Sequence, residues 1–257
     1  SGVINIGQMT SNDYNFKGSI DDLSIWSSKL SHMEIKEVFE RQKQKYAGSY
    51  NSPVIDLEFE RNIKQILPTS DLPFKKELSS NIESSDDYSL LTGDLSSGLV
   101  AYWTLNEMSL GQLSGADFED KSQNSNHINA VNNIGLGENG VLSKGISFDG
   151  QNSYVNLGNN SAIKRNFPIT VSLWVNPNDL QNGTLIFRSD VWRCTNNPIY
   201  SGYGISTSSS GRIGAAIGTS SSSGCSADQR RSHSTNNSDL LKKGYWSHIV
   251  VVYRSET

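Results

Sequence analysis

Apolar and polar positions over residues 1–48 first alternate as short strands and then change to a helical period. Residues 3–7 (VINIG) and 20–26 (IDDLSIW) are short apolar segments bounded by Gly, Asn and Ser, as strands are. In the second segment Ile20, Asp22, Ser24 and Trp26 alternate with Asp21, Leu23 and Ile25. Ser31 followed by Glu34 is a capping-box pattern. Ile35, Val38 and Phe39 supply an apolar stripe, Glu37 and Arg41 form a favourable i,i+4 pair, and Gly48 suits a C-terminal stop. The pattern predicts one short helix near residues 32–46, the only convincing helix in the chain.

Residues 49–97 have a different texture. Val54 to Phe59 reads as a strand, and Pro68, Pro73, the pair Asp86–Asp87 and many serines break the rest. The apolar content is too low for a core of its own, so this stretch reads as a connector or a very small β unit. From Gly98 strands return at 99–105, 145–149, 153–157, 169–175, 184–188, 202–206, 212–217 and 245–253. Turn signals such as Asp149–Gly150 and Asn182–Gly183 lie between them. IGAAIG (213–218) and HIVVVY (248–253) are near-continuous apolar runs, which predicts strands covered on both faces. Many short strands with polar turns predict an all-β sandwich or barrel.

Composition narrows the partners. The net charge of −4 is spread along the chain, so nothing favours nucleic acid or an anionic membrane surface. No apolar run approaches the length that spans a bilayer. The two cysteines, Cys194 and Cys225, fall in one Ser/Asn/Gly-rich stretch. An even count there fits a disulfide clamping a loop in an oxidising compartment, and two free thiols are the alternative. Asn159, Asn182 and Asn236 each begin an N-x-S/T sequon, a pattern that chance also supplies in a chain rich in Asn and Ser. His32, His127, His233 and His248 lack zinc-ligand spacing, no G-x-S-x-G occurs, and GENG lacks the Lys-Ser/Thr of a phosphate loop.

Five motifs in order carry a resemblance. GLVAYWTLNE (98–107), FEDKSQNSNH, GISFDGQNSYVNLG, ITVSLWVNP and GYWSHIVVVY resemble the first four-fifths of a laminin-G-like, concanavalin A-like jelly-roll module. VINIG and FKGSIDDLSIWSSKLSHMEI resemble the last fifth of the same kind of module. The family usually continues from its W-x-H-x-V strand into a strand with an Asn-Gly hairpin, and this sequence stops there. An end that precedes a beginning implies a cut from an array of modules. The resemblance implies a jelly-roll sandwich with three parts. Residues 1–48 are a module tail, 49–97 the connector and 98–257 a module head. Either the tail belongs to one module and the head to the next, or the tail folds into the gap. A sandwich lacking its final strands exposes paired edges and core, which gives the tail a physical reason to dock there.

Three groups of residues carry candidate chemistry. Asp56, Glu58 and Glu60 share one face of a strand and resemble the E-x-D-x-E strand of sister glycosidases. Their order differs, and a solvated edge explains them equally well. Asp117, Glu119, Asp120, Asn124 and Asn126 cluster after the first strand of the head, while Asp21 and Asp22 lie in the closing strand. In modules that this one resembles, first and last strands are neighbours. A structural calcium held by Asp120, Asp21, Asp117 and Asn126 is therefore the candidate cofactor, against a plain turn-forming role. Trp192, Arg193, Tyr200 and Tyr203, with Arg230, Arg231 and His233, surround the cysteine-bearing excursion and suit the stacking and hydrogen bonding of a glycan face. Core or rim packing is the alternative for Trp192 and Tyr203. Trp103, Trp174 and Trp246 read as structural.

The expectation is a non-enzymatic recognition or adhesion module, secreted or at the cell surface. Its partners would be a glycan or an extracellular protein, with neighbouring modules of its own chain alongside. A structural spacer and an accessory binding module of a glycoside hydrolase are the rival readings.

Overall fold

The computed structural model describes residues 3–9, 14–43, 77–78, 93–110, 117–128, 130–163, 167–188, 190–194, 197–218 and 230–254. The elements in chain order are β1 (Ile4–Ile6), β2 (Lys17–Trp26), α1 (His32–Gln42), β3 (Leu99–Trp103), β4 (Ala130–Asn132), β5 (Gly135–Asn139), β6 (Lys144–Asp149) and β7 (Tyr154–Asn156). They continue as β8 (Ile169–Pro177), β9 (Gly183–Arg188), β10 (Asp190–Cys194), β11 (Asn197–Thr207), β12 (Ile213–Gly218), β13 (Arg230–Ser234) and β14 (Ser247–Tyr253).

The strands form two antiparallel sheets, the sandwich that the strand pattern allows, consistent with the jelly roll that the family resemblance implies. One runs β13-β12-β11-β9-β1-β7-β4, with β10 paired to β11; the other runs β14-β8-β2-β6-β5, with β3 paired to β2. β1 and β2 are interior strands. β1 lies between β9 and β7, with Ile6 opposite both Ile186 and Val155. β2 runs along β8 on one edge and along β6 and then β3 on the other. β1 therefore enters one sheet and β2 the other, and they supply Ile4, Ile6, Ile20, Leu23 and Ile25 to the central core, with Phe16 from the segment between them.

Between the sheets these residues meet Trp103, Ile146, Phe148, Val171, Leu173, Val175, Ile186, Tyr203 and Ile205. Trp103 is fully buried and its indole Nε1 donates to the Asn126 carbonyl at 2.9 Å, tying the core to the loop before β4. Trp103→Ala would remove that packing and leave a cavity, with an expected loss of about 3–5 kcal/mol. A loss of unfolding free energy, measured by denaturant titration, of less than a quarter of that would contradict the assignment.

α1 covers the outer face of the β14-β8-β2 sheet. Trp26, Leu30, Val38, Leu78, Leu95, Leu99 and Tyr102 form a second apolar cluster there. Phe39 stacks on Trp174 and His248 at 5.7 and 5.8 Å, and the Trp174 indole donates to Gln42 Oε1 at 2.9 Å. Trp174 is thus structural, but under the helix rather than between the sheets. The capping box is present: Ser31 Oγ accepts from Glu34 N–H, and Glu34 Oε2 accepts from Ser31 N–H. The helix ends at Gln42, short of the expected 46, because Lys43 turns to an extended ψ of 133° while its N–H closes on the Phe39 carbonyl. Gly48, expected as its stop, lies outside the described residues.

Two further expectations change. Strict alternation in residues 20–26 fails because a bulge falls between Asp21 and Ser24, with Asp22 at φ +50°. The extra residue returns Leu23 and Ile25 to the same face as Ile20, so all three reach the core. HIVVVY is not covered on both faces: β14 ends its sheet, and Ile249 and Tyr253 are buried while Val250, Val251 and Val252 are partly so. The connector's strand at Val54–Phe59, with Asp56, Glu58 and Glu60, lies outside the described residues.

Candidate functional site

The bulge in β2 coincides with a seam in the sheet. On one edge of β2 the partner is β6 as far as Ile20, opposite Ile146, and β3 from Leu23, opposite Trp103. Asp21 and Asp22 fill the gap between those two strand ends. An extra residue at this point lets both carboxylates leave the core face without breaking the strand. Neither side chain reaches solvent: Asp21 is 0% exposed and Asp22 1%.

The surroundings satisfy each carboxylate by half. Asp21 Oδ2 accepts from the main-chain N–H of Val141 at 2.6 Å and of Leu142 at 3.4 Å. Asp22 Oδ1 accepts from the Tyr102 hydroxyl at 2.6 Å. Asp21 Oδ1 and Asp22 Oδ2 are buried without a hydrogen-bond partner. Gly140 and Gly145 allow this approach: a Cβ on Gly140 would lie 2.4 Å from Asp21 Oδ2, and one on Gly145 2.8 Å from the Ile20 carbonyl. Asn106 closes the rim, accepting from Lys144 N–H and donating to Glu77 Oε1, both at 2.8 Å.

Burial dominates the electrostatics. It pushes the Asp21 carboxyl up to about 7, against the pull of the Val141 and Leu142 N–H groups. Asp22 is raised well above the ordinary carboxylate range by burial and then by the charge of Asp21; its bond to the Tyr102 hydroxyl opposes this. Glu77 adds to the repulsion on both. Such a pair is stable when protonated or when a cation supplies the missing partner. Two buried carboxylate oxygens without hydrogen-bond partners are hard donors of the kind that a hard cation takes. Among the described residues no three His, Cys, Asp or Glu side chains converge as metal ligands. A cation here would therefore draw on amide and main-chain oxygens beyond the pair.

The other expected metal residues serve a different purpose. Asp120 accepts from the N–H groups of Tyr102, Ser122 and Asn126 and from the Ser122 hydroxyl, at 2.8–2.9 Å, which leaves no vacant oxygen. Asn126 donates to the Val100 carbonyl at 2.8 Å, and Asp117 N–H donates to the Ile128 carbonyl. This loop caps the edge of β3 remote from β2, taking the place of a strand. Asp120, Asp117 and Asn126 are thus separated by β3 from Asp21, and the four do not meet. Reading residues missed Asn106, which directly follows the GLVAYWTL strand, and Glu77, which lies in a stretch without any legible pattern.

The expected ligand face is placed in part. Tyr203 is 2% exposed, packs against Tyr253 at 5.3 Å and lies in the core, so it cannot stack on a ligand. Its inward position follows from β11 alternation, with Tyr203, Ile205 and Thr207 inward. Trp192 and Arg193 fall on β10, Tyr200 on β11 and Arg230 and Arg231 on β13; their side chains lie outside what is described. His233 is exposed on β13. Cys225 and the side chain of Cys194 are likewise outside, and so is their pairing.

Among the described residues no helix is long and apolar enough to cross a membrane. No curated protein and no solved structure matches the chain significantly. Modules of the laminin-G-like, concanavalin A-like kind bind carbohydrates or proteins in general, and the superfamily includes glycosidases as well as non-enzymes. Residues 149–257, which run from the end of β6 through β14, match the family model Laminin_G_3, described as the concanavalin A-like lectin/glucanases superfamily, and the family resemblance is shown over that part of the chain.

Proposed function

We propose that this chain is a non-catalytic extracellular recognition module that binds a glycan or a protein partner, with a structural calcium held at the Asp21–Asp22 seam. The observation that carries this reading is the fate of the carboxylates. Hydrolysis by a sandwich glycosidase needs two carboxyl groups presented to substrate, about 5–5.5 or 6.5–9.5 Å apart. Among the described residues the adjacent acidic pair Asp21–Asp22 is sealed inside the sheet. Among the described strands of the opposite sheet Asp190 is the sole carboxylate.

When bound, calcium supplies the positive charge that the seam lacks. Asp21 and Asp22 would hold it, with Asn106 and Glu77 at the rim. A cation there joins β2 to the ends of β3 and β6, which gives a framework role rather than a catalytic one. Millimolar extracellular calcium suits such a site. The exposed sequon asparagines Asn159, Asn182 and Asn236 are compatible with a secreted or cell-surface setting.

The test is a glycan array probed with the full chain in calcium and in EDTA. The expected result is selective binding that weakens when EDTA loosens the framework. Binding to no glycan and to no extracellular protein in a parallel panel would favour a spacer role. Turnover of a bound oligosaccharide would overturn the non-catalytic assignment.

A further inference from the structure

Three loops meet at one end of the sandwich, away from the carboxylate seam. Asn15 Nδ2 donates to the Gln151 carbonyl, and Gln181 Nε2 donates to the Asn15 carbonyl at 2.7 Å. Thr184 N–H donates to the Tyr14 carbonyl at 2.7 Å. Residues 14–17, 149–152 and 181–184 are thereby knitted into one rim.

Tyr14 stands on this rim with 57% of its surface exposed, at φ +59°. An aromatic residue in the left-handed region is unfavourable, and such backbone persists only where neighbours impose it. Here the bonds through Thr184 and Asn15 impose it. The result is a tyrosine on a held backbone with its side chain exposed to solvent, which core packing does not require.

The rim beside it is rich in amides. Asp149 Oδ1 accepts from the N–H groups of Gln151, Asn152 and Ser153 and so fixes a tight turn. Asn133 donates to Asp149 Oδ2 at 2.6 Å and to Asn152 Oδ1 at 3.0 Å. Gln151 and Asn152 are exposed, and the Gln151 side chain makes no hydrogen bond among the described residues. Lys17 lies alongside: a Cβ on Gly150 would meet its Cβ at 2.7 Å.

We infer that this rim is a glycan-binding site, with Tyr14 stacking on the face of a pyranose ring and Gln151 and Asn152 hydrogen-bonding adjacent hydroxyls. A flat apolar ring near exposed amides matches the two chemically distinct surfaces of a sugar. The inference rests on the recognition reading above, and it moves the contact site from the cysteine-bearing excursion to the opposite flank of β9.

The test is saturation-transfer NMR on the full chain, using methyl β-D-glucopyranoside, methyl β-D-galactopyranoside and N-acetylglucosamine as probes, followed by titration of the best responder. Tyr14→Ala is expected to weaken binding about tenfold or more, as loss of an aromatic anchor does. Tyr14→Phe should bind within about twofold of the parent, because the ring face and not the hydroxyl makes the contact. Melting temperature checks that both variants fold, and Gln151→Ala is a second variant that leaves the backbone turn intact. Retained affinity in Tyr14→Ala and Gln151→Ala, with a sugar bound elsewhere, would overturn this site and leave the recognition reading standing. No transfer to any probe would overturn both this site and the glycan half of that reading.

Discussion

Residues 98–257 produced without residues 1–48 are expected not to fold. β2 holds the middle of its sheet, so its loss leaves β14-β8, β6-β5 and β3 without a common neighbour. Loss of β1 separates β9 from β7 in the other sheet. The deletion also takes Ile4, Ile6, Phe16, Ile20, Leu23 and Ile25 from the core, each no more than 1% exposed. At about 1.5–3 kcal/mol for each of the six buried side chains, the loss is roughly 9–18 kcal/mol. That matches or exceeds the whole stability of an ordinary domain. The truncated chain should show poor amide dispersion, no cooperative melt and a tendency to pair through its open edges. A peptide of residues 1–48 added in trans should restore part of the cooperative transition. A sharp melt for 98–257 alone would mean that the two interior strands are dispensable.

Asp22→Asn is expected to stabilise the calcium-free protein at pH 8 and to abolish its response to calcium. The sign follows from proton binding. Asp21 has a folded pKa of about 7 against an ordinary 3.8, and Asp22 is shifted the same way. Over that window the folded state holds more protons than the unfolded state, so stability present at low pH is lost as pH rises through about 7. For Asp21 alone that is at most roughly 4 kcal/mol. His248 acts in the opposite direction. Burial holds its imidazole at about 4, so the stability contributed by the neutral ring is full above its ordinary 6.5 and lost as pH falls through 4. The two slopes oppose each other between about 4 and 6.5, and only the carboxylate slope remains above that. Asp22 adds to the carboxylate side, so the net slope is already downward in that window, and the calcium-free parent should be most stable near pH 4 and decline towards pH 8. Asp22→Asn should flatten the decline above pH 6.5, and an unchanged alkaline slope in the variant would refute the seam as its source.

The sandwich was legible because its cues are local. Alternating runs, Asp149–Gly150 and the Ser31–Glu34 capping box each act within a few residues, and the structure contains an element at each. Short strands such as β4, β5 and β13 escaped notice because their sequences, AVN, GLGEN and RRSHS, carry no apolar alternation of useful length. The metal cluster misled for a topological reason. Asp120 and Asp21 both flank β3 territory, but hydrogen-bond registry puts them on opposite edges of that strand, and no spacing in the chain encodes which edge a loop will cap. Asp22 was the more informative residue. Its place in the seam depends on a bulge, and a one-residue slip reverses every face assignment that follows it. Tyr203 and Tyr14 show the same limit for aromatics. One is buried by strand parity and the other exposed by a loop held from two distant segments.

Calcium titration of the EDTA-stripped full chain at pH 7.5, followed by calorimetry and melting temperature, tests the carboxylate seam most directly. The account predicts one site per chain and a stabilisation of about 3 kcal/mol at a hundredfold excess over Kd. Both should be absent in Asp22→Asn and intact in a variant of the Asp117 side chain. A silent titration, or calcium binding that survives Asp22→Asn, would contradict it.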